Sequence, residues 1–394
     1  MEPLILFGII LALALNFVNG LNDASHSIAT VVATRALSPL KATLLTGICN
    51  LLGPFVFTTA VAYTIGTEII RPGSLSPLAI VVAMMVSIAL VFVATRSGLP
   101  ISSSHALVGA ILGAGIAASG LQAVVLPSVS SVETVIAGGM AGAVTGFAVL
   151  FLVTGLLNGD RTLGGIIGAV WGIAFAIPLL MITGLLHLSG ILAIVLFIFI
   201  SPVLGGATAF LFDILVSHAF RHSRQNRMKR IFQPLHVAAS LVQATGHGAN
   251  DGQHAVGIIT ALLLSAGMLA AFEVPAWVVL ASAIAIGLGT CFGGWQVVDK
   301  MAKEITRIRP YQGFCAATTG SGVLSLVTLY GIPVSSTHVI SGAIVGVGAT
   351  RGKNAVRWDV VREMMTAWVV TIPISLACAF AGYLVAALIL PALA

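Results

Sequence analysis

Charged residues are scarce in this chain. Asp, Glu, Lys and Arg make up 8% of its 394 residues, where soluble domains carry about 25%. That shortage excludes a water-exposed globular surface of any size. Hydrophobic residues reach 58%, and apolar runs approaching the roughly 20 residues that a bilayer-crossing helix needs recur from end to end. No separate soluble domain fits between them. Cysteine is equally thin: Cys49, Cys291, Cys315 and Cys378 stand apart in apolar stretches without CxxC spacing, which argues against a disulfide framework or a zinc site and makes them packing residues. A basic n-region and a small-residue cleavage site are also missing. The first apolar run follows Glu2 directly and continues into Asn22-Asp23, so it reads as mature sequence and not as a signal peptide. The net charge of +6 does not imply nucleic acid, because in a membrane protein basic residues chiefly record which loops face the cytoplasm.

What is present is a succession of twelve candidate spans: 4–33, 42–66, 77–96, 97–118, 132–157, 163–187, 189–216, 234–268, 275–297, 312–330, 332–349 and 361–392. The expected fold is therefore all-α and polytopic. Four spans look discontinuous. Gly-Xaa-Asn-Asp motifs sit inside 4–33 and 234–268, where Gly20 and Gly248 should let the backbone turn. The spans 97–118 and 332–349 open with proline and a Ser/Thr run, the pattern of a half-helix start. Irregular backbone at membrane depth is tolerated only where protein buries it or it lines a cavity.

The motifs recur in order. Gly20, Asn22, Asp23 and His26 match Gly248, Asn250, Asp251 and His254 at an offset of 228, and "LPISSSHALVGAILGAG" from 99 matches "IPVSSTHVISGAIVGVG" from 332 at an offset of 233. A weaker match pairs Pro202 with Pro373. The first half then holds an excess that two inserted spans explain. The expected organisation is a first repeat core over 1–118, an inserted span pair over 119–188, the end of the first repeat over 189–217, a basic linker over 218–233 and a second repeat over 234–394. Gly138, Gly142 and Gly146 in the inserted pair have small-xxx-small spacing, which offers either helix packing within the subunit or a homodimer face.

Loop charges reverse between the copies. Arg35 and Lys41 follow the first Asn-Asp span while Glu273 follows the second, and four basic residues between 300 and 309 answer one Arg and one Glu near residue 71. With positive charge inside, the copies cross the membrane in opposite senses, the linker Arg221–Arg230 is cytoplasmic and both termini lie outside.

Inverted repeats with discontinuous helices mark secondary transporters, whose sites lie near the midplane where half-helix ends meet. Asp23 and Asp251 are the carboxylates that recur inside apolar spans. Such groups are costly in lipid and point to function, although an aspartate can also cap a half-helix. Asn22 and Asn250 can donate to an anion or ligate a cation. The runs Ser102, Ser103, Ser104 and Ser335, Ser336, Thr337 are either N-caps or, as two helix starts facing one another, a cradle for a tetrahedral oxyanion. His26, His105, His254 and His338 read first as interhelical hydrogen-bonding groups, with a proton or metal role as the sharper alternative.

Electrostatics links these sets. An oxyanion beside two carboxylates is repelled, no Lys or Arg lies within the motifs, and helix ends supply only about half a unit of charge each. Cations must enter with the anion. Sodium on the oxygens of Asn22, Asp23, Asn250 and Asp251 suits this hard ligand set, with protons on the aspartates as the second choice. No organic cofactor is called for.

Gly20-Leu-Asn-Asp23, Gly248-Ala-Asn-Asp251 and the paired Pro-Xaa-Ser-Ser-Ser/Thr-His motifs resemble the inorganic phosphate transporter family over nearly the whole chain. The resemblance implies uptake of inorganic phosphate with sodium or protons across the cell membrane, an inverted repeat and outward-facing termini. By that likeness the phosphate and cation residues are Asn22, Asp23, Asn250, Asp251 and the two Ser/Thr runs. His26 and His254 stand where many members carry Asn or Lys, and the linker is short beside that of animal members. Some relatives carry sulfate, which keeps a sulfate transporter as an alternative. The rival readings are a divalent-metal carrier built on the histidines and aspartates and an intramembrane hydrolase using Ser103 or Ser104. The second is disfavoured because adjacent Ser and His do not by themselves orient a nucleophile and its base.

Overall fold

The computed structural model describes residues 3–56, 58–188 and 190–391. The expected segment boundary at residue 189 and both chain ends lie outside them. Among the described residues every long element is helical: α1 (Pro3–Ala33), α2 (Pro39–Leu52), α3 (Ala60–Thr67), α4 (Pro77–Arg96), α5 (Ser103–Ser119), α6 (Val129–Leu156), α7 (Arg161–Ile182), α8 (Gly190–Ala219), α9 (Gln225–Asp251), α10 (Gln253–Ser265), α11 (Ala276–Phe292), α12 (Trp295–Lys303), α13 (Pro310–Leu329), α14 (Ser336–Ala349) and α15 (Trp358–Ile389). By length and composition six of these can cross a membrane alone, and up to eight can if each bent pair counts as one span.

Local chemistry explains the starts. Ser76 caps α4 ahead of Pro77, and Pro310 opens α13, because proline at the first helical position removes an N–H that has no partner there. Pro100 and Pro333 hold the stretches before α5 and α14 extended, and Ser102 and Ser335 then cap the helices by accepting from the backbone N–H of His105 and His338.

The breaks fall elsewhere than the motifs indicate. α1 runs unbroken through Gly20–Asp23, and α9 passes into α10 through Gly252, which keeps right-handed helical angles. Gly20 and Gly248 serve contact instead of turning: a Cβ at Gly20 would lie 2.2 Å from the Ile286 carbonyl oxygen of α11, and one at Gly248 2.1 Å from the Asn50 carbonyl oxygen of α2. The sharp bends are between α2 and α3, by 74° across the break that follows Phe55, and between α11 and α12, by 68° through Gly293. Gly293 has φ +62°, a value that glycine alone adopts without strain.

Packing is paired. α1 lies against α4 and α11, and α9 lies against α13 and α2; α5 packs on α15, and α14 packs on α8. These contacts draw α1, α9, α5 and α14 together at the centre. α6 has no buried residue and packs on α7, which reaches the rest through α8. Gly142 and Gly146 of α6 face Gly172 and Gly168 of α7 so closely that a Cβ would overlap a carbonyl oxygen. The small-residue stripe therefore packs this hairpin within the subunit.

Candidate functional site

The centre is built by two helices and two extended stretches. Residues 99–102 and 332–335 are non-helical, so their carbonyls need partners that lipid cannot supply. Asn22 and Asn250 provide them. The Asn22 amide donates to the Ile101 carbonyl at 3.1 Å and the Asn250 amide to the Ile332 carbonyl at 3.2 Å. Thr95 donates to Asn22 Oδ1 at 2.8 Å, and Asn250 donates to Thr328 Oγ1 at 2.9 Å. Both asparagines thus brace a helix start against the neighbouring motif helix, a local structural task that the sequence does not announce. Asn250 Oδ1 has no partner among the described residues, whereas both ends of the Asn22 amide are engaged.

Bracing carries the helix starts of α5 and α14 to the carboxylates. Asp23 accepts from Asn22 Nδ2 at 2.7 Å, from Ser103 Oγ at 3.3 Å and from Thr337 Oγ1 at 3.4 Å, so one carboxylate is reached from both serine-bearing helices. Asp251 accepts from Ser336 Oγ at 3.2 Å. The single Ser103 hydroxyl hydrogen is shared between Asp23 and the nearer Asn19 Oδ1 at 2.6 Å, while Ser102 and Ser104 lie 3.0 Å apart and face each other. Within the two runs, Ser103, Ser336 and Thr337 therefore meet the acids. Ser102 and Ser335 are N-caps.

One residue joins the halves. His247 Nε2 lies 3.2 Å from Asp251 and 3.5 Å from Asp23. Its Nδ1 is 2.9 Å from Asn50 Oδ1, and the Asn50 amide nitrogen donates to Thr290 at 2.6 Å. An amide oxygen only accepts, so Nδ1 carries a hydrogen. Nε2 then faces two carboxylates, and at least one proton must sit on Nε2 or on an acid for the three to coexist at these distances. The paired-motif comparison passes over His247 because the matching position is Asn19. Its i, i+4 spacing to Asp251 on one helix face was the available signal. No Lys or Arg lies within the motifs, and among the described residues the one side chain able to carry positive charge between the two acids is this imidazole.

The four matched histidines divide. His26 Nε2 is 3.6 Å from Asp23. His105 and His338 instead meet each other edge to face at 4.7 Å, with His338 packed on Trp368 at 4.0 Å. Trp368 donates to the Pro100 carbonyl at 3.0 Å, so this trio pins the α5 and α14 starts. His254 is buried on α10 beside the cluster. Asp23, His26 and His247 place ligand atoms within 4.8 Å of one another and could hold a metal ion. Asp23, Asp251, His247, Ser103 and Thr337 are all at most 3% exposed, so exchange of any solute with water requires the helices to move.

A buried acidic pair, hydroxyl-bearing helix starts and bilayer-length helices define a membrane transport protein, not an enzyme. The profile of the phosphate transporter family matches residues 19–162 and 161–379, and the chain belongs to that family. It is 38% identical over 389 residues to a probable low-affinity inorganic phosphate transporter of Rhizobium meliloti, covering 98% of each chain. A Bacillus subtilis protein of the same description is 32% identical over 370 residues, covering 93% of this chain and 92% of its own. A solved structure described as the sodium-dependent phosphate transporter superposes with a TM-score of 0.70 at 25% identity, covering 98% of this chain and 99% of that one.

Proposed function

We propose that the protein imports inorganic phosphate together with sodium by alternating access, with protons as the second choice of coupling ion. The observation that carries the reading is the convergence of Ser103, Thr337 and Ser336 on Asp23 and Asp251. In the cradle, Ser103, Ser336 and Thr337 turn their hydroxyls to phosphate oxygens, assisted by the first backbone amides of α5 and α14, which lack intrahelical partners. Ser104 stands beside them, while Ser102 and Ser335 shape the starts by capping. Those hydroxyls now point at carboxylates, which would repel an anion. Sodium ions on Asp23, on Asp251 and on the amide oxygen of Asn250 remove the repulsion, and Asn22 holds its aspartate in place. This is the physical source of coupling: the anion is stable there only with the cations.

The duplicated motifs support an inverted repeat, and the loop charges support a linker facing the cytoplasm with both termini outside. Alternating access then exposes the one buried site to each side in turn. The grouping of Asp23, His26 and His247 keeps a divalent-metal carrier as a second reading. That reading requires metal uptake to survive loss of the Ser103 and Ser336 hydroxyls.

Uptake of labelled phosphate into liposomes under imposed sodium or proton gradients tests the proposal. A sodium gradient should drive accumulation, and Asp23→Asn and Asp251→Asn should each abolish it. Full uptake by both variants would remove the carboxylates from the mechanism, and accumulation driven by the proton gradient alone would make the coupling ion a proton.

A further inference from the structure

A line of buried polar groups leads away from the site along the α1–α9 interface. On α9, His236, Ser240, Gln243 and His247 recur at helical spacing and share one face. They lie against α1. Gln243 donates to the His26 carbonyl at 2.9 Å, and the His236 ring nitrogens lie 3.0 Å from Thr30 Oγ1 and 3.3 Å from Thr34 Oγ1. At the surface Gln233 donates to the Arg35 carbonyl at 3.1 Å. Ser240, 2% exposed, has a hydroxyl with no hydrogen-bonding partner among the described residues, and a buried water is the ordinary solution for such a group. The eleven helical steps from 236 to 247 span about 17 Å, more than half of a hydrocarbon core of roughly 30 Å. The seam is therefore long enough to join a midplane site to one membrane face.

The matched interface in the other half is apolar over the corresponding stretch, with a polar group, Asn16, only at its inner end, where it donates to the Gly252 carbonyl at 2.9 Å. At the offset of 228, His236, Ser240 and Gln243 correspond to Gly8, Ala12 and Leu15, and Thr30 and Thr34 correspond to Ile258 and Leu262. Gly8 does sit against Leu262, and Ala12, Leu15, Ile258 and Leu262 belong to one apolar core. Separating that interface exposes hydrocarbon at about 25 cal/mol per Å². Parting the polar seam lets water replace hydrogen bonds at far lower cost.

We propose that the α1–α9 seam from His247 to Gln233 is the route by which the coupling cation leaves Asp23 for the face that carries the linker. It rests on the cation-coupled reading above. The lining is hydroxyl, amide and imidazole without a fixed positive charge, and its inner end is a carboxylate, which admits a small cation and turns away phosphate.

Side-specific labelling tests the route without measuring phosphate. In a chain whose four native cysteines are replaced, Ser240→Cys should react with an impermeant cationic thiol reagent added on the side that labels Gln225→Cys. The rate should exceed that of an anionic reagent of the same size by about tenfold, the charge selection expected of a cleft lined toward one sign. Ala12→Cys, the counterpart, should stay unreactive from both sides. A Ser240→Cys as inert as Ala12→Cys would overturn the route, and equal or faster reaction with the anionic reagent would show that the seam does not select cations. Hydroxyl-radical footprinting of the unmodified chain covers the case in which the cysteine-free protein fails to fold. His236 should be oxidised faster when sodium and phosphate are added while Leu15 is unchanged; an unaltered His236 would also overturn the proposal.

Discussion

His247 bears the heaviest electrostatic duty of any side chain here, since two buried carboxylates share its Nε2. Removing one partner of a buried ionic set costs about 3–5 kcal/mol, because the remaining charges are left unpaired. His247→Ala should accordingly lower thermal stability in detergent by about that amount. His247→Gln should keep most of the stability, since its amide can still donate to an acid. Equal losses in the two variants would mean that volume, and not polar contact with the acids, matters at this position. Asp23 and Asp251 were legible as functional groups because a carboxylate inside an apolar span carries its cost on its face. The imidazole between them was harder to read: its i, i+4 spacing to Asp251 was there, but helical spacing alone does not separate a central histidine from a packing one, and the repeat offers Asn19 as its match.

Helix-level behaviour turns on close approach. Gly20 and Gly248 look like hinge glycines in sequence, yet each stands where the carbonyl of a neighbouring helix passes within van der Waals contact. A backbone atom cannot step aside as a flexible side chain can, so Gly20→Ala should destabilise by about 1–3 kcal/mol, the range for overpacking. Gly139 on α6 has nothing within 4 Å of its Cβ direction, and Gly139→Ala should instead stabilise by up to about 1 kcal/mol through helix propensity. Thermal unfolding of the two variants in detergent reads the contrast; stabilisation by both would dismiss the contact role of Gly20. The helix starts at Ser103 and Ser336 were legible from proline and capping serine, which act within a few residues. The bend at Gly293 was not assigned, since glycine is abundant here, with 43 in the chain, and only packing selects which ones turn the backbone.

At the scale of the whole molecule, the repeat predicts a sidedness that can be measured. With native cysteines replaced, including the exposed Cys378, Gln225→Cys should react with impermeant reagents only from the cytoplasm. Labelling from outside would reverse the orientation inferred from loop charge. The α1–α9 seam is polar where the corresponding stretch of α1 and α10 is apolar, and the proposed exit would draw its direction from that difference.

Composition alone placed this chain in a bilayer, and the duplicated motifs pointed to two aspartates and two hydroxyl-bearing helix starts, because hydrophobic length, capping and the cost of a buried charge are properties of short stretches. Tertiary structure decided that Asn22 and Asn250 brace carbonyls about 80 residues away in sequence, that Gly20 receives a neighbouring helix and that His247 unites the halves. Those roles depend on which surfaces meet when distant helices pack, and no local pattern encodes that meeting.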